Sequence, residues 1–308
     1  MTDFFKLIRW KNLLMIALVQ YLIKYALLNP FTVSHGVATT LDHFHFALLV
    51  LATLCIAASG YIINDIYDVE TDKVNKPDNV IIDKTISEKN GYTYFMALNI
   101  AGVGLGFYLS NHVGISALFV AFFVSSALLY IYSSALKQMF LIGNIVVSLV
   151  VVLSILIIGA FELLPSMTSN NSVAQMTFLD IIKDYAIFAF MINLVREIVK
   201  DIEDIDGDYK VGMRTMPIVL GRTRANNIAF TLSLIPVFAV IYYVITFLFK
   251  QELVVGYFLI FVIAPLIYIS IKLFSAKQKS HYKRISLILK LTMFTGMLSL
   301  VLYNFILK

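Results

Sequence analysis

Charge is scarce in this 308-residue chain. Asp, Glu, Lys and Arg together make up 14% of it, against about a quarter in soluble domains. Hydrophobic residues make up 60%, and the mean hydropathy is +0.85. So little charge leaves no polar coat for a water-soluble surface, which excludes a soluble globular protein. Cysteine is scarcer still. The single Cys55 falls inside a hydrophobic run, so an intramolecular disulfide is excluded and cysteine usage says nothing of the redox compartment. The five histidines (His35, His43, His45, His112 and His281) lack metal-ligand spacing. His43 and His45 fall on one side of an extended segment and read as interfacial residues. No low-complexity tract, linker or soluble domain is visible. No cleavable signal peptide is expected, because MTDFFKLIRWKN leads into a run too long for a signal peptide, with no small-residue cleavage site behind it.

Long apolar runs are what the chain does have. A membrane span needs about 20 mostly apolar residues. Nine such runs are predicted, at 12–29, 44–63, 92–110, 114–132, 142–162, 181–199, 226–249, 254–272 and 285–306, which gives an all-α polytopic membrane protein. Assigning alternate loops to two sides separates the basic residues sharply. Of the 24 Lys and Arg, all but Lys24, Lys183, Lys250 and Lys308 fall on the side of the N-terminus and the 64–91, 133–141, 200–225 and 273–284 loops. By the positive-inside rule that side is cytoplasmic. The net charge of +5 therefore orients the chain in a bilayer and is no nucleic-acid footprint.

The few acids are not scattered. After the second run the chain reads NDIYDVETD (64–72), and after the sixth it reads KDIEDIDGD (200–208). Both share one template, an acid followed by acids three and seven residues on: Asp65, Asp68 and Asp72, then Asp201, Asp204 and Asp208. On a helix these positions lie within about 60° of one another, so each triad is a carboxylate stripe at the cytoplasmic end of a span. Four spans separate the triads, so both open on the same face. Each is trailed by a basic, Pro-containing segment, KVNKPDN and YKVGMRTMP, which marks a weak internal repeat within one domain covering 1–308. Like charges at this density need a cation. Carboxylate oxygens suit Mg²⁺ or Ca²⁺, and Mg²⁺ commonly combines one or two carboxylates with phosphate oxygens and water. The glycine and final glutamate of a calcium-binding EF-hand are missing. Nearby Lys73, Lys76, Lys137, Arg196, Lys200, Lys210 and Arg214 supply the positive half of a diphosphate site, and Lys137 stands out in an otherwise uncharged loop.

NDxxDxxxD after the second span, YSxxLK after the fourth and KDxxDxxGDxxxGxRTxP after the sixth resemble the UbiA-type intramembrane prenyltransferases. That resemblance covers nearly the whole chain and implies a ring of nine transmembrane helices around a central cavity. It implies Mg²⁺ ligation, with two ions, by Asn64, Asp68, Asp204 and Asp208, supported by Asp65, Asp72 and Asp201. It further implies diphosphate contacts from Lys137, Tyr132 and Arg214, with Asp68, Asp204 and Lys137 central to catalysis. The substrates would be a polyprenyl diphosphate and a lipophilic acceptor. REIVKDIEDIDGD followed by RTMP, with Arg9 and Asn12 heading the first span, is most similar to the digeranylgeranylglyceryl phosphate synthase branch, whose acceptor is geranylgeranylglyceryl phosphate. Family members often read RPxRP after the first motif. Here the chain has Lys76-Pro77-Asp78-Asn79-Val80, so Lys76 alone retains a basic contact there. Aromatic acceptors of quinone synthesis, hydroxybenzoate or dihydroxynaphthoate, stay open. A transporter would instead line a mid-bilayer path with its acids.

Overall fold

The structure is a computed structural model that describes residues 2–307. Its regular elements among these residues are all helical, apart from one isolated bridge between Ile82 and Ile86. Eight segments are long and apolar enough to cross a membrane: Trp10–Phe31, His43–Tyr67, Glu88–His112, Ser116–Ser134, Ile142–Leu163, Arg222–Leu248, Glu252–Ser275 and Lys279–Ile306. These correspond to eight of the nine predicted runs. The remaining run, 181–199, lies within a 39-residue helix, Ser172–Lys210, which falls short of that apolarity. The reason is local: Lys183 and Asp184 at one end and Arg196 and Glu197 at the other leave only 185–195 uncharged. Packing compensates, since Ile192, Val195, Ile198, Val199 and Ile202 of this helix are all buried.

The helices that bear on the site are α1 (Thr2–Leu7), α2 (Trp10–Leu22), α3 (His43–Tyr67), α4 (Val69–Asn75), α5 (Glu88–His112), α6 (Phe119–Ser134), α7 (Ile142–Leu163) and α8 (Ser172–Lys210). The chain divides into two compact units. One comprises the residues up to Lys137 together with Leu153–Lys183, and the other Gln138–Val152 together with the residues from Asp184 on.

In the first unit α3 and α5 pack along a seam that only small residues permit. A Cβ on Gly102 would lie 2.7 Å from Ile56 Cγ1 and 3.0 Å from the Ala52 carbonyl oxygen, and on the side facing α6 one on Gly106 would collide with the Phe122 ring. Small residues let helix backbones approach closely in a membrane, where apolar surface gives no solvent-driven association. Gly102→Leu is therefore expected to force α5 off α3 and to cost about 1–3 kcal/mol, as overpacking does. A lowered melting temperature in detergent checks this, and an unchanged one would mean that the seam is soft. Elsewhere in this unit Lys24 and Glu162 form a fully buried pair at 2.7 Å, with side chains 2% and 0% exposed. Lys24 also donates to the Leu41 carbonyl, and Glu162 Oε2 accepts from the Thr40 and Leu41 amides. Lys24 is thus an internal clip, so this exception to the charge asymmetry is no surface charge at all. The histidine segment is helical rather than extended. His43 and His45 occupy the first turn of α3, and they engage different partners, Tyr25 and Asp42.

In the second unit the buried face of α8 joins one hydrophobic core with the last three spans, including Val237, Val240, Leu266, Ile269, Tyr282 and Ile285. That core fixes the rotation of α8, and so which way its terminal aspartates face.

Candidate active site

The first acidic motif sits where α3 ends. Asp68 leaves the helical region (φ −96°, ψ 1°) and caps α3, and α4 starts at the next residue. The backbone bonds Asp68 N to Asn64 O at 2.9 Å and Asp72 N to Asp68 O at 2.8 Å carry the helical pattern across this break. The stripe is therefore kinked rather than straight, with Asn64, Asp65 and Asp68 on the span side and Asp72 beyond it.

Asp65 and Asp68 have each met a basic or amide partner. Arg9 Nη2 donates to Asp65 Oδ1 at 2.6 Å, and its guanidinium lies 5.0 Å from the Tyr61 ring centre. Arg9 reaches there because it adopts a left-handed backbone (φ 51°, ψ 52°) between α1 and α2. That conformation costs a non-glycine residue about 1 kcal/mol or more and is typical of residues held at functional sites. Asn12 follows one turn later, half-buried, its backbone N–H donating to the Arg9 carbonyl at 2.7 Å. Lys137 Nζ donates to Asp68 Oδ1 at 2.5 Å, with side chains 7% and 19% exposed. Asn64 Nδ2 donates to Asp68 Oδ2 at 2.6 Å, while Asn64 Oδ1 is buried with no hydrogen-bond partner. Tyr132 is half-buried near the end of α6, just before the loop that delivers Lys137. Burial, with the neighbouring Asp68 charge, pushes the Asp72 carboxyl up to about 6 despite the opposing charge of Lys76.

The second motif ends α8. Gly212, at φ 74°, supplies the left-handed residue that turns the chain out of the helix. Asp208 is buried, and Asp201 Oδ2 accepts from Asn144 Nδ2 at 2.8 Å. The basic residues here are distributed differently from the sequence expectation. Glu197 holds both Arg196 (2.8 Å) and Lys200 (2.9 Å). Arg214 is exposed in the turn after α8, its amide bonded to the Gln138 carbonyl at 2.9 Å. The structure thus brings Arg9, Asn64, Asp65, Asp68 and Lys137 together in the first unit, and Asn144 with Asp201 in the second. Sequence reasoning missed Asn144 and the role of Glu197. An amide at the foot of an apolar span was the available signal for the first, and a glutamate between two basic residues for the second. Among the described residues no three His, Cys, Asp or Glu side chains converge to hold a metal by themselves.

Comparison with known proteins agrees with this chemistry. Residues 26–298 match the UbiA prenyltransferase family. The chain is 27% identical over 261 residues to the digeranylgeranylglyceryl phosphate synthase of Thermococcus kodakarensis, covering 84% of this chain and 85% of the relative. It is 35% identical over 212 residues to that of Methanopyrus kandleri, covering 68% of each. Its fold is similar to that of a UbiA homologue from Archaeoglobus fulgidus solved with DMAPP and Mg²⁺, with a TM-score of 0.59 at 18% identity over 97% of this chain and 99% of the other. With the family matched across most of its length, and an acid-and-lysine cluster suited to a diphosphate at the end of a span, the chain belongs to the UbiA prenyltransferases.

Proposed function

We propose that this prenyltransferase alkylates geranylgeranylglyceryl phosphate with geranylgeranyl diphosphate, using two Mg²⁺ ions held by its acidic motifs. The observation that carries the reading is the Asn64–Asp68–Lys137 cluster, in which a buried carbonyl oxygen without a partner flanks a carboxylate gripped by a buried ammonium. An oxygen left unpaired in an apolar setting is costly unless a cation or donor completes it. Asn64, Asp68, Asp204 and Asp208 would hold the ions, with Asp65, Asp72 and Asp201 in support. Mg²⁺ commonly combines one or two carboxylates with phosphate oxygens and water, so the diphosphate would complete its shell here. When bound, these ions neutralise the diphosphate leaving group and so lower the cost of breaking the allylic C–O bond.

The chain's own residues do the rest. Lys137 is placed to exchange the Asp68 carboxylate for a diphosphate oxygen, and Tyr132, Arg214 and Lys76 add polar contacts around that group. Arg9 fixes the Asp65 carboxylate, and Asn12 holds the turn that aims Arg9. The aliphatic spans exclude water from the developing allylic cation, so that the acceptor hydroxyl oxygen captures it instead, giving up its proton as the diphosphate departs. In this reading 1–308 is one catalytic domain of nine transmembrane helices around a cavity. The N-terminus and both acidic loops face the cytoplasm of a prokaryotic plasma membrane, as the Lys and Arg distribution supports. The named activity of the Thermococcus and Methanopyrus relatives supports the ether-lipid acceptor.

The test is to incubate purified protein with labelled geranylgeranyl diphosphate and a panel of acceptors, with and without EDTA. A digeranylgeranylglyceryl phosphate product that vanishes on chelation is expected. A prenylated hydroxybenzoate or dihydroxynaphthoate would replace the acceptor assignment, and undiminished product under chelation would sink the role of the ions.

A further inference from the structure

Asn144 stands in the first turn of α7, 6% exposed, at the foot of a span whose next residues are Ile145, Val146 and Val147. Its side-chain amide reaches across to α8 and donates to Asp201 Oδ2. It is itself held from behind. Ser148 Oγ, one turn on, donates to the backbone carbonyl of Asn144 at 2.7 Å, and Asn193 Nδ2 donates to Ser148 Oγ at 3.1 Å. Ser148 and Asn193 are both buried. Asn193 and Ser148 thus anchor the backbone turn that carries Asn144, whose side chain makes the separate bond to the carboxylate, all within the second unit.

From the Asn144–Asp201 bond we infer that Asn144 is a positioning residue for the reaction, fixing the rotation of the Asp201 carboxylate so that Oδ1 is presented to a divalent cation. The inference rests on the proposed place of Asp201 at the metal and diphosphate site. Two features favour positioning over simple helix adhesion. The donor is neutral, so it orients the carboxylate without cancelling the charge a cation needs, unlike the Lys137 ammonium at Asp68. It also occupies one oxygen of the two, which is how outer partners orient a metal ligand. Interhelical adhesion alone needs only the Asn193–Ser148 bond, buried further along the same pair of helices.

The experiment uses the purified full chain in detergent and four variants: Asn144→Leu, Asn144→Ala, Asn193→Ala and Asp201→Asn. Two quantities are read. One is the Mg²⁺ concentration giving half-maximal prenyl transfer. The other is the midpoint of the Mg²⁺-induced rise in melting temperature in the presence of inorganic diphosphate. Asn144→Leu, which keeps the buried volume, should move both midpoints up about tenfold or more, with turnover largely recovered at saturating Mg²⁺. Asn144→Ala should do the same, and Asn193→Ala should move neither. The melting midpoint is read against each variant's own Mg²⁺-free value, so a general loss of stability does not obscure it. Wild-type midpoints in Asn144→Leu overturn the inference, as does an equal displacement in Asn193→Ala, which would make these bonds helix adhesion. If Asp201→Asn itself leaves both midpoints in place, the error lies in the placing of Asp201 at the metal site.

Discussion

Asp68→Asn and Asp204→Asn are each expected to lower prenyl transfer by about 100-fold or more, the upper end of what losing even an outer partner of a bound metal costs. Each substitution keeps an oxygen but removes the charge that retains a cation. Loss of one ion leaves the diphosphate underneutralised, so the double variant should be little worse than either single one, since groups acting as a unit are not additive. The stabilities should differ from the activities. In a bare acidic stripe, removing one charge relieves repulsion and stabilises the apo protein. Here Asp68 is paired with Lys137, both largely buried, so Asp68→Asn strands an ammonium. Breaking such a pair costs up to about 3–5 kcal/mol. Product formation and melting temperature in detergent, measured on all three variants, separate the two effects. Near-normal turnover in both single variants would end the catalytic reading of the motifs.

Lys137→Met should reduce kcat/KM for the prenyl diphosphate about 30- to 150-fold at saturating Mg²⁺. That corresponds to about 2–3 kcal/mol for one hydrogen bond to a charged group. Methionine preserves the length and burial of the side chain and removes only the charge, so packing is held nearly constant. Lys137→Arg should fall between the two, because it restores the charge while its planar fork does not fit a site built around a compact ammonium. The measurement is steady-state kinetics with the acceptor held saturating. Unchanged kcat/KM in Lys137→Met would reduce Lys137 to a counter-ion that keeps Asp68 buried in the resting protein.

Much of this protein was legible before any coordinates. Hydropathy is a property of consecutive residues, and the boundary between lipid and water reads it directly, so eight predicted runs reappear as helices of spanning length. The run at 181–199 is the informative exception. Its charges at both ends weaken the local signal, and the helix is secured by a buried face that packs on segments more than thirty residues away. The second aspartate triad was legible for a similar reason, since three- and seven-residue spacing on a helix is set by the backbone alone, whereas the break at Asp68 that kinks the first was not.

What the sequence could not determine is which polar groups meet. Arg9 finds Asp65 across 56 positions, Asn144 finds Asp201 across 57, and Lys137 finds Asp68 across 69. Of the seven basic residues near the motifs only Lys137 stood out in the sequence, and the partners of all seven were open; Arg196 and Lys200 are taken up by Glu197 while Lys137 goes to Asp68. Spacing along one helix says nothing of the rotation of its neighbour, and that rotation is fixed by steric fit such as the Gly102 seam against Ile56 and Ala52. The sequence by itself therefore determined the membrane class, the helices and the acids. Only the tertiary structure decided the partner of each acid, because a side-chain hydrogen bond forms within about 3 Å and helix packing alone sets distances on that scale.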